Sequence, residues 1–298
     1  LNPADWKIQR YGAPHTVSDY PAIFGLDSAG IVEEVGESVT KFQKGDKVFH
    51  QGELANSKAG TFQQYITVAA DLVAKLPSNL TFDQAASIPL CITTAAVGLY
   101  EGAGLQAPWD GGEGKYKSQS IVIMGGASSI GQYAIQLAKL SGFSTIITTC
   151  SISNTNLVKS LGATHAINRN ADIVAKVKNI VSEPPKIVLD PISLENTQTQ
   201  AIQIVAAGGT LILVTSPVES IRSIQGDKKF YTVYGSPIRH RKLAVSMHSN
   251  LTEYFESGKL KPNLVEVLPN GLAGIPAGLQ RMADNKVSGV KLIARPQE

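Results

Sequence analysis

Cysteine is nearly absent from this chain: the 298 residues contain two, Cys91 and Cys150. Both lie among apolar or small neighbours and read as reduced, buried thiols, which suits a cytosolic enzyme. No thiol cluster exists to hold a structural metal. Charge is sparse as well, at 17% of residues and a net +3, too little to argue for nucleic acid or a membrane surface. The densest basic run, Arg239-His240-Arg241-Lys242, reads as a solvated loop and helix start. No apolar run reaches the ~18 residues that a membrane span requires. The chain opens Leu-Asn-Pro, without the charged and apolar pair of regions that marks an export signal. His15, His50 and His165 share no spacing with partners and read as surface or loop histidines. The hydrolase elbow G-x-S-x-G is also missing, since Ser128 is followed by Ser129 and Ile130.

What is present is a 43% hydrophobic chain long enough for about two domains. Its most informative stretch is 120–142. Ile121, Val122, Ile123 and Met124 form the continuous apolar run of a parallel strand covered on both faces. Gly125 and Gly126 break that run. Ser128, Ser129, Ile130 and Gly131 then lead into Tyr133, Ala134, Leu137 and Ala138 at helical spacing. Small residues here allow backbone N–H groups to approach a pyrophosphate, and the positive end of the helix dipole faces it. The segment from Gly126 to Gly131 matches G-x-G-x-x-G with Ser128 in the middle position, and small residues also occur in such turns for packing alone.

From residue 120 onward strands and helices alternate, which predicts a doubly wound parallel sheet. Strands are expected at 145–149, 166–167, 187–189, 210–214 and 230–234, and helices at 156–161, 171–181, 194–206 and 243–256. The first ninety residues have another texture, with short β-prone runs at 29–35, 47–49, 62–68 and 72–76 punctuated by Gly, Pro and Asp. They predict a small irregular β domain, with no helix before a stretch at 83–100 that Pro89 interrupts. Segment 109–117 reads as a surface loop. The tail returns to strand, helix and strand at 265–268, 275–284 and 290–294.

In this order the chain resembles the medium-chain dehydrogenase/reductase superfamily, in its zinc-free, quinone-oxidoreductase-like branch. The resemblance is carried by Asn2-Pro3-Ala4-Asp5, Phe24-Gly25-Leu26-Asp27-Ser28-Ala29-Gly30 and Val35-Gly36-Glu37, and by Gly45-Asp46-Lys47-Val48-Phe49. GGASSIGQYAIQLAK, Ser160-Leu161-Gly162-Ala163 and Gly208-Gly209-Thr210 continue it. Gly258-Lys259-Leu260-Lys261-Pro262 and Ser288-Gly289-Val290-Lys291-Leu292 are similar to fungal trans-acting enoyl reductases of polyketide pathways and toxin-biosynthesis-like proteins. The resemblance implies a GroES-like catalytic domain over 1–92 and 262–298, with a Rossmann domain over 93–261 inserted in it and the active site in the cleft. It also implies about forty residues of β structure before the Asn-Pro-x-Asp element at which this sequence starts, so the chain reads as either an N-terminally incomplete fragment or a shortened variant.

Zinc-using members carry Gly-His-Glu where this chain has Gly25-Leu26-Asp27, and their first cysteine ligand falls near Asn2 to Asp5. Cys91 alone cannot assemble a three-ligand site, so no metal is expected. Without a Lewis acid, hydride delivery to a conjugated C=C is favoured over alcohol oxidation, since an enolate needs only hydrogen-bond donors and a proton source. No acid follows the strand at 145–149, where NAD-selective sites place Asp or Glu. Ser151, Ser153 and Asn154 can instead donate to a 2′-phosphate, which favours NADPH. Arg169, where relatives often carry a phosphate-contacting tyrosine, is a second candidate or a plain surface arginine.

The resemblance places Thr93 or Thr94 near the nicotinamide and its ribose. It places Gly126, Ser128, Ser129, Ile130 and Gly131 near the pyrophosphate, and Val214 behind the ring. Asn2 and Asp5 lie at the cleft entrance in relatives, although turn chemistry around Pro3 explains them equally. Tyr11 lies near the place of a catalytic tyrosine in some enoyl thioester reductases, at an offset from Asn2 that does not match. The expected activity is reduction of an enone, enal or enoyl thioester, free or carrier-bound, with a polyketide synthase as candidate partner and a monomer or homodimer as the assembly. Quinone reduction on the same scaffold, and a catalytically silent nucleotide- or partner-binding protein, are the alternatives.

Overall fold

The computed structural model describes residues 1–12, 20–54 and 56–298. By its internal contacts the chain divides into two compact units, Leu1–Leu90 with Ser236–Glu298, and Cys91–Gly235.

The first unit opens with a helix that the hydrophobic pattern does not announce, α1 (Pro3–Tyr11). Asn2 is its N-cap with an extended backbone, Pro3 supplies the fixed φ of a first turn, and the Asn2 N–H donates to Asp5 Oδ2 at 2.7 Å. Three antiparallel strands follow, β1 (Asp27–Ile31), β2 (Lys47–Gln51) and β3 (Val73–Lys75), with β2 central. Ala29 faces Phe49, which faces Ala74, and the Phe49 ring is fully buried. The strand expected at 62–68 does not form. Thr61 and Phe62 instead donate to the carbonyls of Gly25 and Phe24, and their side chains fill the space where a Cβ on Gly25 (φ +99°) would sit.

Helix α2 (Phe82–Ala85) is opened by a Thr81–Gln84 capping box, and α3 (Pro89–Ala96) runs on into a π-helical stretch, Val97–Gly102. By length and composition Phe82–Gly102 is apolar enough to cross a membrane, although no run of that length stood out in the sequence. Of that window 72% is buried, as in a core helix.

In the second unit six parallel strands stand in the order β6-β5-β4-β7-β8-β9. They are β4 (Ser120–Ile123), β5 (Thr145–Cys150), β6 (His165–Asn168), β7 (Ile187–Asp190), β8 (Thr210–Leu213) and β9 (Lys229–Thr232). Helices α4 (Ser129–Ser141), α5 (Thr155–Leu161), α6 (Ile173–Ile180), α7 (Glu195–Ile204) and the short α8 (Glu219–Arg222) lie between them. This is the expected doubly wound sheet, and its order reverses between β4 and β7, where such sheets bind ligands. Its central strands are largely apolar because both faces are covered: Val122, Ile147, Val188 and Leu211 share one core with Val177 and Ala201 of the helices. The segment expected as a loop at 109–117 is a series of turns that begins with the short 3₁₀ turn Pro108–Asp110.

The chain then returns to the first unit earlier than expected. Helix α9 (Arg241–Glu256), assigned from sequence to the Rossmann domain, groups with the β domain instead. The reason is packing. Phe255 meets Phe49 edge-on at 6.5 Å between ring centroids, Thr252 donates to the Lys75 carbonyl, and Arg241 pairs with Asp71 at 2.7 Å. Strand β10 (Leu264–Val267), helix α10 (Ile275–Ala283) and β11 (Val290–Ile293) complete the unit, the two strands pairing in parallel.

Candidate functional site

The turn between β4 and α4 is built from both sides. Ser128 caps α4 by accepting the Gly131 N–H at 3.1 Å. Thr149 of β5 holds the other flank: its Oγ1 accepts the Gly125 N–H at 2.8 Å and its carbonyl accepts the Gly126 N–H. Gly131 presses against the turn so closely that a Cβ there would meet the Gly125 carbonyl oxygen and Gly126 Cα. Among the described residues the first-turn N–H groups of Ser129 and Ile130 find no acceptor. A thirteen-residue helix thus presents a capped N-terminus with two amides left over, the arrangement that holds a phosphate. Gly126, Ser128, Ser129, Ile130 and Gly131 all stand in this turn and the first turn of α4. Thr149 went unnoticed because a threonine in a strand is unremarkable.

At the end of β5 the polar residues form a local cluster. Ser151 Oγ and Ser153 Oγ lie 3.0 Å apart, and Asn154 Nδ2 donates to Ser151 Oγ at 2.9 Å. The Arg169 N–H donates to the Cys150 carbonyl at 2.8 Å, which sets the exposed Arg169 beside this strand end. Its guanidinium makes no ion pair among the described residues. Burial pushes the Cys150 thiol up, with a Thr155 hydrogen bond opposing, so the thiol stays protonated.

The neighbouring strand ends carry a buried polar network that the sequence reading missed. Asp190, at the end of β7 and fully buried, accepts the N–H groups of Ile192 and Ser193 at 3.0 Å and the Thr197 hydroxyl at 2.6 Å. Burial raises its pKa, and those three hydrogen bonds oppose the rise. Ser193 Oγ accepts the Val214 N–H at 2.9 Å, fixing the residue expected behind the nicotinamide. Thr93 and Thr94 are both buried on α3, and Thr94 packs on Gly235, where a Cβ would meet its hydroxyl.

In the first unit Asn2 and Asp5 belong to a buried charged cluster. Lys291 of β11 places its ammonium 2.8 Å from Asp27 Oδ2 and 2.6 Å from Asn2 Oδ1, and Asn2 Nδ2 donates to Asp27 Oδ2 at 2.7 Å. The Leu90 N–H donates to Asp27 Oδ1. Burial alone would raise the Asp27 pKa, but Lys291, the amino terminus and these hydrogen bonds outweigh it and hold the carboxylate below its ordinary range. Asp5 fares differently. Its Oδ1 is buried with no hydrogen-bond partner, and burial pushes its pKa up to about 6 against the opposing amino terminus and Asn2 N–H.

These residues do not fit a zinc ion. A cation of the chain's own, Lys291, occupies the Asp27 and Asn2 oxygens, and among the described residues no group of three His, Cys, Asp or Glu could hold a metal.

Tyr11 ends α1 about two turns from Asn2, 71% exposed and edge-on to Trp6, apart from that cluster. His165 is exposed as expected. His50 is not: it is buried on β2, where desolvation lowers its pKa to about 4. His15 lies outside the described residues.

Residues 129–247 match the zinc-binding dehydrogenase family and residues 1–78 the alcohol dehydrogenase GroES-like domain. The trans-enoyl reductase himH of Aspergillus japonicus is 38% identical over 222 residues, 73% of this chain and 64% of that protein. A zinc-type alcohol dehydrogenase-like protein of Schizosaccharomyces pombe is 32% identical over 316 residues, 99% of this chain and 89% of that one. Among solved structures, Escherichia coli quinone oxidoreductase complexed with NADPH has a TM-score of 0.78 at 21% identity, covering 98% of this chain and 88% of that one. At that identity the likeness speaks for the fold.

Proposed function

The chain belongs to the medium-chain dehydrogenase/reductase superfamily as an oxidoreductase of its enoyl-reductase-like branch, and from that membership we propose a cytosolic, metal-free NADPH-dependent reductase of activated C=C bonds. The observation that carries the coenzyme reading is the Ser128-capped start of α4, with two unbonded amides and Gly131 seated on the turn. The Ser151–Ser153–Asn154 cluster, without an acid at that strand end, supports a 2′-phosphate and hence NADPH. Bound there, the reduced nicotinamide supplies hydride to the β-carbon of a conjugated acceptor.

The chain's own residues have three tasks. The α4 amides and Ser128 hold phosphate, Val214 with Thr93 and Thr94 walls the ring end, and a proton must be held for the enolate that forms on the acceptor. The trans-enoyl reductase among the relatives favours an enoyl thioester, carried by a polyketide synthase, as the acceptor.

Stopped-flow oxidation of NADPH against enals, enoyl thioesters and quinones tests the reading. Reduction of enoyl thioesters, faster when carrier-bound, is the expected result. Preference for quinones would assign the alternative reductase activity. Tight NADPH binding with no turnover on any acceptor would leave a silent nucleotide-binding protein.

A further inference from the structure

Residues 214–218 follow β8 without regular structure, yet their backbone is fixed, and one buried side chain of α7 does most of the fixing. Gln198 has no exposed surface. Its Nε2 points at three acceptors, the Ser193 carbonyl at 3.1 Å, the Ser216 carbonyl at 3.3 Å and Thr215 Oγ1 at 3.4 Å. Its Oε1 accepts the Val218 N–H at 2.9 Å. Only this orientation of the amide satisfies all four contacts, with its two hydrogens shared among three acceptors. Thr215 Oγ1 in turn donates to the Ser193 carbonyl at 3.2 Å.

A primary amide taken wholly out of water is destabilising unless bonded. Here all four of its contacts reach either the 190–193 loop after β7 or the 214–218 segment after β8. The two segments leave the carboxyl ends of β7, which is next to β4, and of β8, one strand further out, on the edge of the sheet that carries the phosphate turn. Ile192, held by Asp190 in the first loop, lies against Gly125 of that turn, within 2.5 Å of where a Cβ on the glycine would stand. With strands ~4.8 Å apart, β8 lies about 10 Å from β4, a span that a dinucleotide covers from its phosphates to its far ring.

We propose that Gln198 is a positioning residue that sets the 214–218 wall for the nicotinamide half of the coenzyme without touching it. This rests on the coenzyme reading above. The adenosine half meets the α4 turn and the β5 end, which Gln198 does not contact, so the two halves of the ligand separate the roles.

The test is calorimetric titration of the wild type, Gln198→Met and Gln198→Glu with NADPH and with adenosine 2′,5′-bisphosphate, alongside thermal melts. Gln198→Met should weaken NADPH about tenfold and leave the bisphosphate within about twofold. Gln198→Glu, which keeps the acceptor for Val218 but turns an oxygen towards the Ser193 and Ser216 carbonyls, should weaken NADPH at least as much as Gln198→Met. Should Gln198→Met fail to fold, Thr215→Val removes one of the amide's acceptors and should shift NADPH in the same direction. Equal losses for both ligands, or no loss for either, would overturn the positioning role. A folded wild type that binds neither ligand would instead overturn the coenzyme reading.

Discussion

Replacing Asp5 by Asn should stabilise the protein at neutral pH and do nothing for it in acid. The Asp5 carboxyl is almost fully buried, and burial moves its pKa from the ordinary 3.8 to about 6. Each tenfold change in proton affinity is worth about 1.4 kcal/mol, so keeping this group ionised in the folded state costs about 3 kcal/mol. The folded chain binds the proton more tightly than the unfolded one. Stability from this group is therefore intact below pH 3.8 and lost as pH rises towards 6. Asparagine keeps an oxygen for the Asn2 N–H and carries no charge, so Asp5→Asn should gain up to about 3 kcal/mol at pH 7.5 and nothing near pH 3.5.

The wild-type profile alone would hide this effect. His50, whose pKa falls from 6.5 to about 4 on burial, works in the opposite sense. Its folded form binds protons less tightly, so stability falls by up to about 3 kcal/mol as pH drops from 6.5 through 4. The two groups offset one another over an overlapping window, and only the difference between variant and wild type isolates Asp5. Urea unfolding at several pH values between 3.5 and 7.5, followed by Trp6 fluorescence in a Trp109→Phe background, measures that difference on α1 itself. A variant-minus-wild-type stability that does not change with pH would refute the reasoning.

Three further outcomes follow from the site. Gly131→Ala would drive a Cβ into the Gly125 carbonyl and Gly126 Cα, and should abolish measurable NADPH binding in calorimetry while lowering the melting temperature. Ser151→Ala combined with Ser153→Ala removes two hydroxyl donors from the proposed 2′-phosphate site, and should reduce the preference for NADPH over NADH at least about tenfold in paired titrations. Lys291→Met leaves Asp27 buried and unpaired, and should destabilise the first unit by about 3–5 kcal/mol in urea unfolding.

The second unit was legible because its signals are local. Its central strands are largely apolar, and its turns and helix ends carry glycine and serine at fixed offsets, so the sheet and the turn after β4 follow from short windows. Helix α1 was equally local but used a different code. Asn2, Pro3 and Asp5 stand at the N-cap, first and third positions, a capping pattern easily taken for a turn when the hydrophobic period is weak. The placement of α9 was not local: it depends on Phe255 meeting Phe49, some two hundred positions away in the chain. Lys291 misleads for the same reason. A lysine within Val-Lys-Leu-Ile reads as the solvent face of a strand, and only its contact with Asn2, 289 positions away, shows that it is buried. Gln198 gives no sign at all in a polar helix sequence, because three of its four partners are backbone groups.

The buried cluster around Asn2 holds two carboxylates and the single lysine ammonium placed between them and β11. Asp27 lies 2.8 Å from Lys291 and takes most of the stabilisation, which keeps it ionised. Its charge in turn raises Asp5, which has only the Asn2 N–H on one oxygen and no partner on the other. One acid is thereby fixed as an anion and the other is left able to hold a proton near pH 6. This division also fixes the order of vulnerability. Removing Lys291 should raise the pKa of both carboxyls, whereas removing the Asp5 charge should leave the Asp27–Lys291 pair intact, so Asp5→Asn should still melt cooperatively while Lys291→Met should not keep its stability.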